Sequence, residues 1–161
     1  MAFVLCLCSL FTRELLCVSA RAPAHYQGLA EELGIADRVR FPGGTNQIEQ
    51  FYSAADVFLM PTSYDAFGMV AFEAMASGLP VIVGRNAGVA ELIEDGVNGL
   101  LLHDAACEEE LARHMERLQQ DRGLRTRLGC AARKTAERQS WDYVAEQTLK
   151  VYEQVRRNGS A

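Results

Sequence analysis

The sequence predicts an α/β domain, a doubly wound parallel sheet covered by helices on both faces and followed by a helical C-terminal tail. Three observations predict it. Runs such as Val57-Phe58-Leu59-Met60 and Val81-Ile82-Val83 are apolar at every position, as strands buried on both faces are. They alternate with stretches of helical character, which parallel strands need as crossovers. The chain of 161 residues, 49% apolar and 23% charged, also has the size and composition of one globular domain.

Met1 to Phe11 is an apolar run of about ten residues, half of what spans a membrane. No lysine or arginine precedes it, so it makes a poor secretory signal, although Val18-Ser19-Ala20 has the small residues of a cleavage site. We set residues 1–14 apart as an atypical apolar N-terminus standing in for the first strand, ahead of a domain over 15–161. Leu15-Leu16-Cys17-Val18 reads as a buried strand and His25 to Leu33 as a helix stopped by Gly34. Val39-Arg40-Phe41 is a short strand closed by Pro42-Gly43-Gly44, and Asn46 is placed to cap a helix running to Ala55. After the strand Val57–Met60, a helix over Gly68 to Ser77 stops at Gly78 and Pro80. Val81–Val83 is the next strand, Val89 to Ile93 a short helix, and Glu94 to Gly99 turn chemistry leading into Leu100-Leu101-Leu102. From Ala105 three helices follow, broken near Asp121-Arg122-Gly123 and Gln139-Ser140.

Net charge is −5, with a pI near 5.2, which argues against nucleic acid as a partner, since neutralising phosphates takes a basic surface. It leaves room for one phosphorylated ligand held by backbone N–H groups. Five cysteines, Cys6, Cys8, Cys17, Cys107 and Cys130, are odd in number and lack ligand spacing, so they read as reduced thiols of a cytoplasmic protein. No metal is expected.

Parallel sheets bind ligands beyond the carboxyl ends of their strands. The loop after Val57–Met60 is the richest of those places. It runs from Pro61 through Asp65 to Gly68 and enters a helix carrying Glu73. A helix start leaves backbone donors unpaired and carries partial positive charge, so it takes phosphate or a sugar oxygen well. The two carboxylates are on the order of 10 Å apart by helix rise plus loop. That suits acceptors flanking a diphosphate, each serving a different sugar ring, and suits a shared proton badly. Spacing alone equally allows Asp65 to be a helix-start acid and Glu73 a solvated helix position.

Residues 61–82, PTSYDAFGMVAFEAMASGLPVI, closely resemble the donor-site signature of family 4 retaining glycosyltransferases of the GT-B fold. That signature is an acid and a Glu eight positions later, within a stretch like EGFGLVxLEAMAxGxPV. The resemblance takes in residues 33–43 (LGIADRVRFPG), 52–57 (YSAADV) and 88–101 (GVAELIEDGVNGLL), and continues to Trp141 and Tyr152. It implies a Rossmann-like domain, one half of a GT-B fold, that binds a nucleoside-diphosphate sugar such as a UDP- or GDP-sugar. Asp65, the catalytic position, would hold hydroxyls of the transferred sugar. The backbone of Ala66, Phe67, Gly68, Met69 and Val70 would face sugar and diphosphate, and Glu73 would accept from the ribose hydroxyls. Phe41, Pro42 and Gly43 would lie against the base. Such contacts hold the leaving diphosphate, where charge develops as the glycosidic bond breaks.

The chain departs from the family pattern in three places. Asp65 stands where many members have Glu and reaches about one bond less. Thr45 replaces a basic residue that helps neutralise the diphosphate. Nothing in Met1 to Arg13 matches the early Arg and Lys that clamp the pyrophosphate, for which Arg13 and Arg21 are the stand-ins.

Other residues read more blandly. His25, His103 and His114 have no partner at catalytic spacing, and His103 reads as a surface turn. Met69 and Met75 read as helix core, and Glu91 as a neighbour of the diphosphate. Glu108-Glu109-Glu110 complements a helix dipole without needing a partner. The arginines from Arg113 to Arg138 are mixed with glutamates, as on a solvated helix face. In the family the last helix packs on the N-terminal domain, so Trp141, Val144, Leu149, Tyr152 and Val155 would need another surface or stay exposed as an association patch.

The sequence therefore points to the donor half of a hexosyltransferase. The implied acceptor is a glycan or lipid-linked molecule, reached with an N-terminal acceptor domain or partner chain, in the cytoplasm or peripherally at the inner membrane face. A non-catalytic nucleotide-sugar binding module, or truncated remnant, is the alternative, and a nucleotide-sugar epimerase a further one.

Overall fold

The computed structural model describes residues 5–9, 14–18 and 24–158. Its six strands are β1 (Leu5–Ser9), β2 (Glu14–Val18), β3 (Val39–Gly43), β4 (Val57–Met60), β5 (Val81–Gly84) and β6 (Leu100–Leu102). The helices are α1 (Ala24–Glu32), α2 (Ile48–Ala54), α3 (Met69–Ala76), α4 (Glu108–Gln120), α5 (Arg122–Glu137) and α6 (Trp141–Asn158). Single 3-10 turns occupy Ala36–Arg38 and Gly88–Leu92.

The strands form one sheet in the order β3-β2-β1-β4-β5-β6. Strands β2 to β6 run parallel to one another, but β1 is antiparallel to both neighbours, pairing Cys6 with Cys17 on one side and with Leu59 on the other. The expected all-parallel sheet is corrected at this strand. Only residues 10–13 separate β1 from β2, and a connection that short permits only an antiparallel neighbour. Proline is tolerated in β3 because β3 is an edge strand, where Pro42 need not donate to a ladder. The chain moves outward from β1 to β3, then returns through α2 to β4 and moves outward again. That reversal makes the boundary between β1 and β4 the switch point, and the carboxyl end of β4 lies beside it.

Alternation along the strands divides the core. Phe58, Met60, Val81, Val83 and Leu101 face α2, α3 and the 3-10 turn at Gly88, packing with Tyr52, Ala71, Met75 and Val89. Val57, Leu59, Ile82, Leu100 and Leu102 face the other way, onto Leu118, Leu124 and Leu128 of α4 and α5. Asp121 caps α5 by accepting from the Leu124 N–H at 2.8 Å. The expected cap of α2 is corrected: the N-cap is Gln47, and Thr45 rather than Asn46 closes the preceding turn, its Oγ1 accepting from Gln47 N–H at 3.0 Å.

Helix α6 contributes nothing to either face. It has no buried residue, and Trp141, Leu149, Tyr152 and Val155 stand at 81%, 60%, 68% and 65% exposure. Among the described residues no helix is long and apolar enough to cross a membrane.

The contrast between α5 and α6 is measurable. Leu128, 1% exposed, should cost about 2–4 kcal/mol when changed to alanine, and Leu149→Ala less than about 0.5 kcal/mol, by urea unfolding. Equal losses would mean that α6 is packed in solution.

Candidate functional site

Strand β4 is buried along its whole length and ends at Pro61, so the chain emerges from the core at the carboxyl edge of the sheet. Two local hydrogen bonds shape the loop beyond Pro61. Thr62 Oγ1 donates to the Tyr64 carbonyl at 2.9 Å, and Asp65 Oδ1 accepts from the Phe67 N–H at 3.0 Å. Gly68 then takes φ 90°, ψ 51° as the N-cap of α3. A side chain there would be strained by that φ and would also begin 2.8 Å from the Met60 methyl.

A second loop locks this one from behind. After β5 the chain runs alongside the Asp65 turn, with a parallel bridge between Asp65 and Ala87. Gly88 N–H donates to the Asp65 carbonyl at 3.0 Å, and Val89 N–H donates to the Phe67 carbonyl. The approach is so close that a Cβ on Gly88 would overlap the Ala66 carbonyl oxygen. Six consecutive residues held this way, Asp65 to Val70, line a depression of about 320 Å³. Asp65 is half-buried. Ala66 and Phe67 are exposed, and the Phe67 ring leans on Phe72 with centroids 5.8 Å apart. Met69 is corrected here: at 47% exposure it lies at the depression, whereas Met75 is fully buried as helix core.

Glu73 lies one turn further along α3, with its residue exposed but its carboxylate held. The Tyr52 hydroxyl, reaching across from α2, lies 3.1 Å from Glu73 Oε2 and 3.1 Å from the Val70 carbonyl, and its proton is shared between them. Tyr52 is only 3% exposed and packs edge-on to Phe58. Burial, then the neighbouring Glu73 charge and its hydrogen bond, push the phenol above its ordinary value near 10. The sequence alone gives Tyr52 no role. The available signal is a tyrosine beside Ile48 and Phe51 on the apolar side of a short helix, shortly before a strand with no polar residue.

Phe41, Pro42 and Gly43 are placed elsewhere, at the end of β3. Three strand spacings, about 14 Å, separate β3 from β4. Phe41 lines a different depression, of about 430 Å³, with Gln27, Ala30 and Glu31 of α1 among its other walls. Glu91 is exposed on the 3-10 turn. Arg13 and Arg21 lie outside the described residues. Among the described residues no group of three or more His, Cys, Asp or Glu could hold a metal ion.

Two bland readings are corrected. Glu110 does more than complement a dipole: it accepts from the backbone N–H groups of His103 and Asp104 at 3.0 and 3.2 Å. His103, exposed as expected of a surface turn, is nonetheless partnered. Its Nδ1 pairs with Glu110 Oε1 at 2.9 Å, and its Nε2 with Arg85 at 2.8 Å. The hydrogen bond from the His103 ring, then those from the Asp104 and His103 N–H groups, pull the Glu110 carboxyl down to about 2.

Residues 21–135 match the family model described as glycosyl transferases group 1. The chain belongs to that family. It is 39% identical over 139 residues to a D-inositol 3-phosphate glycosyltransferase of Streptomyces bingchenggensis, covering 84% of this chain and 30% of that protein. A Salinispora arenicola protein of the same name is 39% identical over 134 residues, with 81% and 29% covered. The chain thus spans about 30% of the length of these curated relatives. Among solved structures it superposes on the sucrose-phosphate synthase of Thermosynechococcus elongatus with TM-score 0.79 and 30% identity, over 89% of this chain and 38% of that one. Anabaena HepE, solved in complex with UDP-glucose, gives TM-score 0.71 and 29% identity, over 81% and 36%. The fold is that of group 1 glycosyltransferases, with the Rossmann-like sheet and helical C-terminal region of the GT-B type.

The loop contact and the tyrosine can each be tested. Gly88→Ala should destabilise by about 1–3 kcal/mol, since a backbone carbonyl has to move. Gly28→Ala, with open space inside α1, should stabilise by about 0.5–1 kcal/mol. Thermal unfolding of both reads the sign directly.

For Tyr52, the folded state keeps the phenol neutral past the pH at which an unfolded tyrosine ionises. Its contribution is therefore complete below pH 10 and falls as pH rises beyond it. Ultraviolet titration should find one of the five tyrosines ionising late, and Tyr52→Phe should remove it and flatten the alkaline loss of stability.

Proposed function

We propose that this chain binds a nucleoside-diphosphate sugar, a UDP- or GDP-sugar, as the donor half of a family 4 type glycosyltransferase that moves a hexose with retention of configuration. The observation that carries the reading is the Glu73 carboxylate. It stands on α3, whose N-terminus opens onto the glycine turn bearing Asp65, and is pinned by the buried Tyr52 of α2. A carboxylate held in one rotamer is a preorganised acceptor for a pair of vicinal hydroxyls such as those of ribose. The depression from Asp65 to Val70 supplies the complementary part. Asp65 takes the hydroxyls of the transferred sugar, and the backbone of Ala66, Phe67, Gly68, Met69 and Val70 faces the sugar and diphosphate at the start of α3. Phe41, Pro42 and Gly43, three strands away, receive the base. A ligand with a base at one end and a sugar at the other matches that separation.

Anabaena HepE, a relative in fold, was solved with UDP and with UDP-glucose, which supports a nucleotide-sugar donor here. As the glycosidic bond breaks, negative charge gathers on the leaving diphosphate. Donors fixed before the reaction stabilise that charge without reorganising. The acceptor is a glycan or lipid-linked molecule presented in the cytoplasm, or peripherally at the inner membrane face, by an N-terminal acceptor domain or partner chain.

A thermal-shift panel with UDP, GDP, ADP and CMP on the wild type and Glu73→Ala tests the reading. A nucleotide at 100 times its Kd stabilises by about 2.7 kcal/mol, or roughly 5–11 °C for a domain of this size. One nucleotide should shift the wild type and leave Glu73→Ala unmoved. A shift of equal size in both would remove Glu73 from the site, and no shift in the wild type would overturn the donor reading.

A further inference from the structure

Helix α6 runs for 18 residues, about five turns and about 27 Å, without burying one of them. Only Gln147 is half-buried, and every other position from Trp141 to Asn158 is exposed. The helix is nonetheless patterned for a neighbour. Trp141, Ala145, Thr148, Tyr152 and Val155 follow one another at alternating spacings of four and three, the repeat that lines side chains into a seam. Thr148 joins the seam through its methyl group, because its hydroxyl donates to the Val144 carbonyl at 2.8 Å. Gln147 lies about a third of a turn from the seam, so the half-buried side of the helix is not the patterned one.

The residues beside the seam say what covers it. Val144 and Val151, both exposed, border it on one side. Asp142, Leu149 and Arg156 border it on the other, spaced by seven, with the acid at the start of the helix and the base near its end. A second α6 turned end over end about the middle of the helix brings its Arg156 to Asp142 and its Asp142 to Arg156, with leucine on leucine between them. The same rotation sets Ala145 opposite Val155 and Thr148 opposite Tyr152, small against large along the seam. It also lays each positive helix start beside a negative helix end. A parallel pair would instead stack Trp141 on Trp141 and Tyr152 on Tyr152, and would bring Asp142 no basic partner.

We propose that two copies of this chain associate through α6 as an antiparallel, twofold-symmetric pair. The proposal is independent of the donor-site reading, since α6 and the Asp65 turn share no buried group. Two five-turn helices bury an area at the small end of specific interfaces, so the pair is weak, with a Kd on the order of tens of micromolar. Well below that concentration the chain is a monomer with α6 exposed, and unfolding in dilute solution reads that state.

The test is sedimentation equilibrium of the full chain from about 1 µM to about 300 µM, a range that brackets this Kd. The proteins compared are the wild type, Tyr152→Ala, Asp142→Arg, Arg156→Asp and the double variant with both charges exchanged. The wild type should pass from monomer to dimer across the range. Tyr152→Ala removes the largest ring at the middle levels of the seam and should raise the Kd by about tenfold or more. Each single charge change sets like charges together at both ends of the pair and should also raise it about tenfold. Exchanging both charges restores the opposite-charge contacts and should return the Kd to within about threefold of the wild type. That recovery separates an effect across the interface from an effect on folding. A wild type that stays monomeric throughout would overturn the proposal and leave the seam to a partner of different sequence. Dimerisation unchanged by Tyr152→Ala would place the contact elsewhere and overturn it as well. A double variant no better than the single ones would overturn the antiparallel arrangement.

Discussion

The site depends on one contact between two loops. Backbone from the loop after β5 lies directly against backbone from the loop after β4, through the Asp65–Ala87 bridge and the Gly88 N–H on the Asp65 carbonyl. That contact commits the Asp65 and Phe67 carbonyls to protein rather than water, so an otherwise exposed loop has a fixed shape. It also requires glycine at Gly88, because a methyl group would begin well inside contact distance of the Ala66 oxygen. The start of α3 and the depression lined by Asp65 to Val70 depend on it. Loops on the carboxyl edge of a sheet are commonly mobile. Here the next strand along serves as a backstop.

The same contact explains how the site tolerates an unusual sheet. An antiparallel strand directly beside β4 would be expected to disturb the edge where ligands bind. The carboxyl end of β1 points away from that edge, because β1 runs opposite to β4. What β1 must supply is a ladder for β2 and β4, and register alone does so, through the pairs Cys6–Leu59, Leu7–Phe58 and Cys8–Val57. The direction of a central strand matters little to the neighbouring loops when those loops are braced by β5.

Much of this is legible in the sequence where a residue's choice is dictated by its own environment. Strands buried on both faces have only apolar residues to choose from, so β4 and β5 appear as unbroken runs. Gly68 before α3 and Gly78 after it show in the chain because both backbone positions have positive φ. The illegible parts depend on partners distant in sequence. Glu73 reads as a solvated position because its partner, Tyr52, is 21 residues away on another helix. His103 reads as a surface turn because its two partners lie 18 residues before it and seven after it. The direction of β1 is hidden for a different reason: apolar runs carry no sign of direction, and only the four residues between β1 and β2 encode it.

Helix α6 shows how local the design of the site is. An isolated helix of 18 residues is marginal in water, and α6 buries no residue that would add to its stability. Its opening therefore costs little, and fraying there exposes side chains, Trp141 and Tyr152 among them, that are exposed already. The elements that shape the Asp65 turn are buttressed differently: α3 packs against α5, and β4 and β5 are buried throughout. The path from α6 to the turn passes through α5, whose Leu128, Ala132 and Ala136 are buried in the core independently of α6. Loosening of the last helix is thus uncoupled from the carboxylates at the site, because no buried group is shared between them.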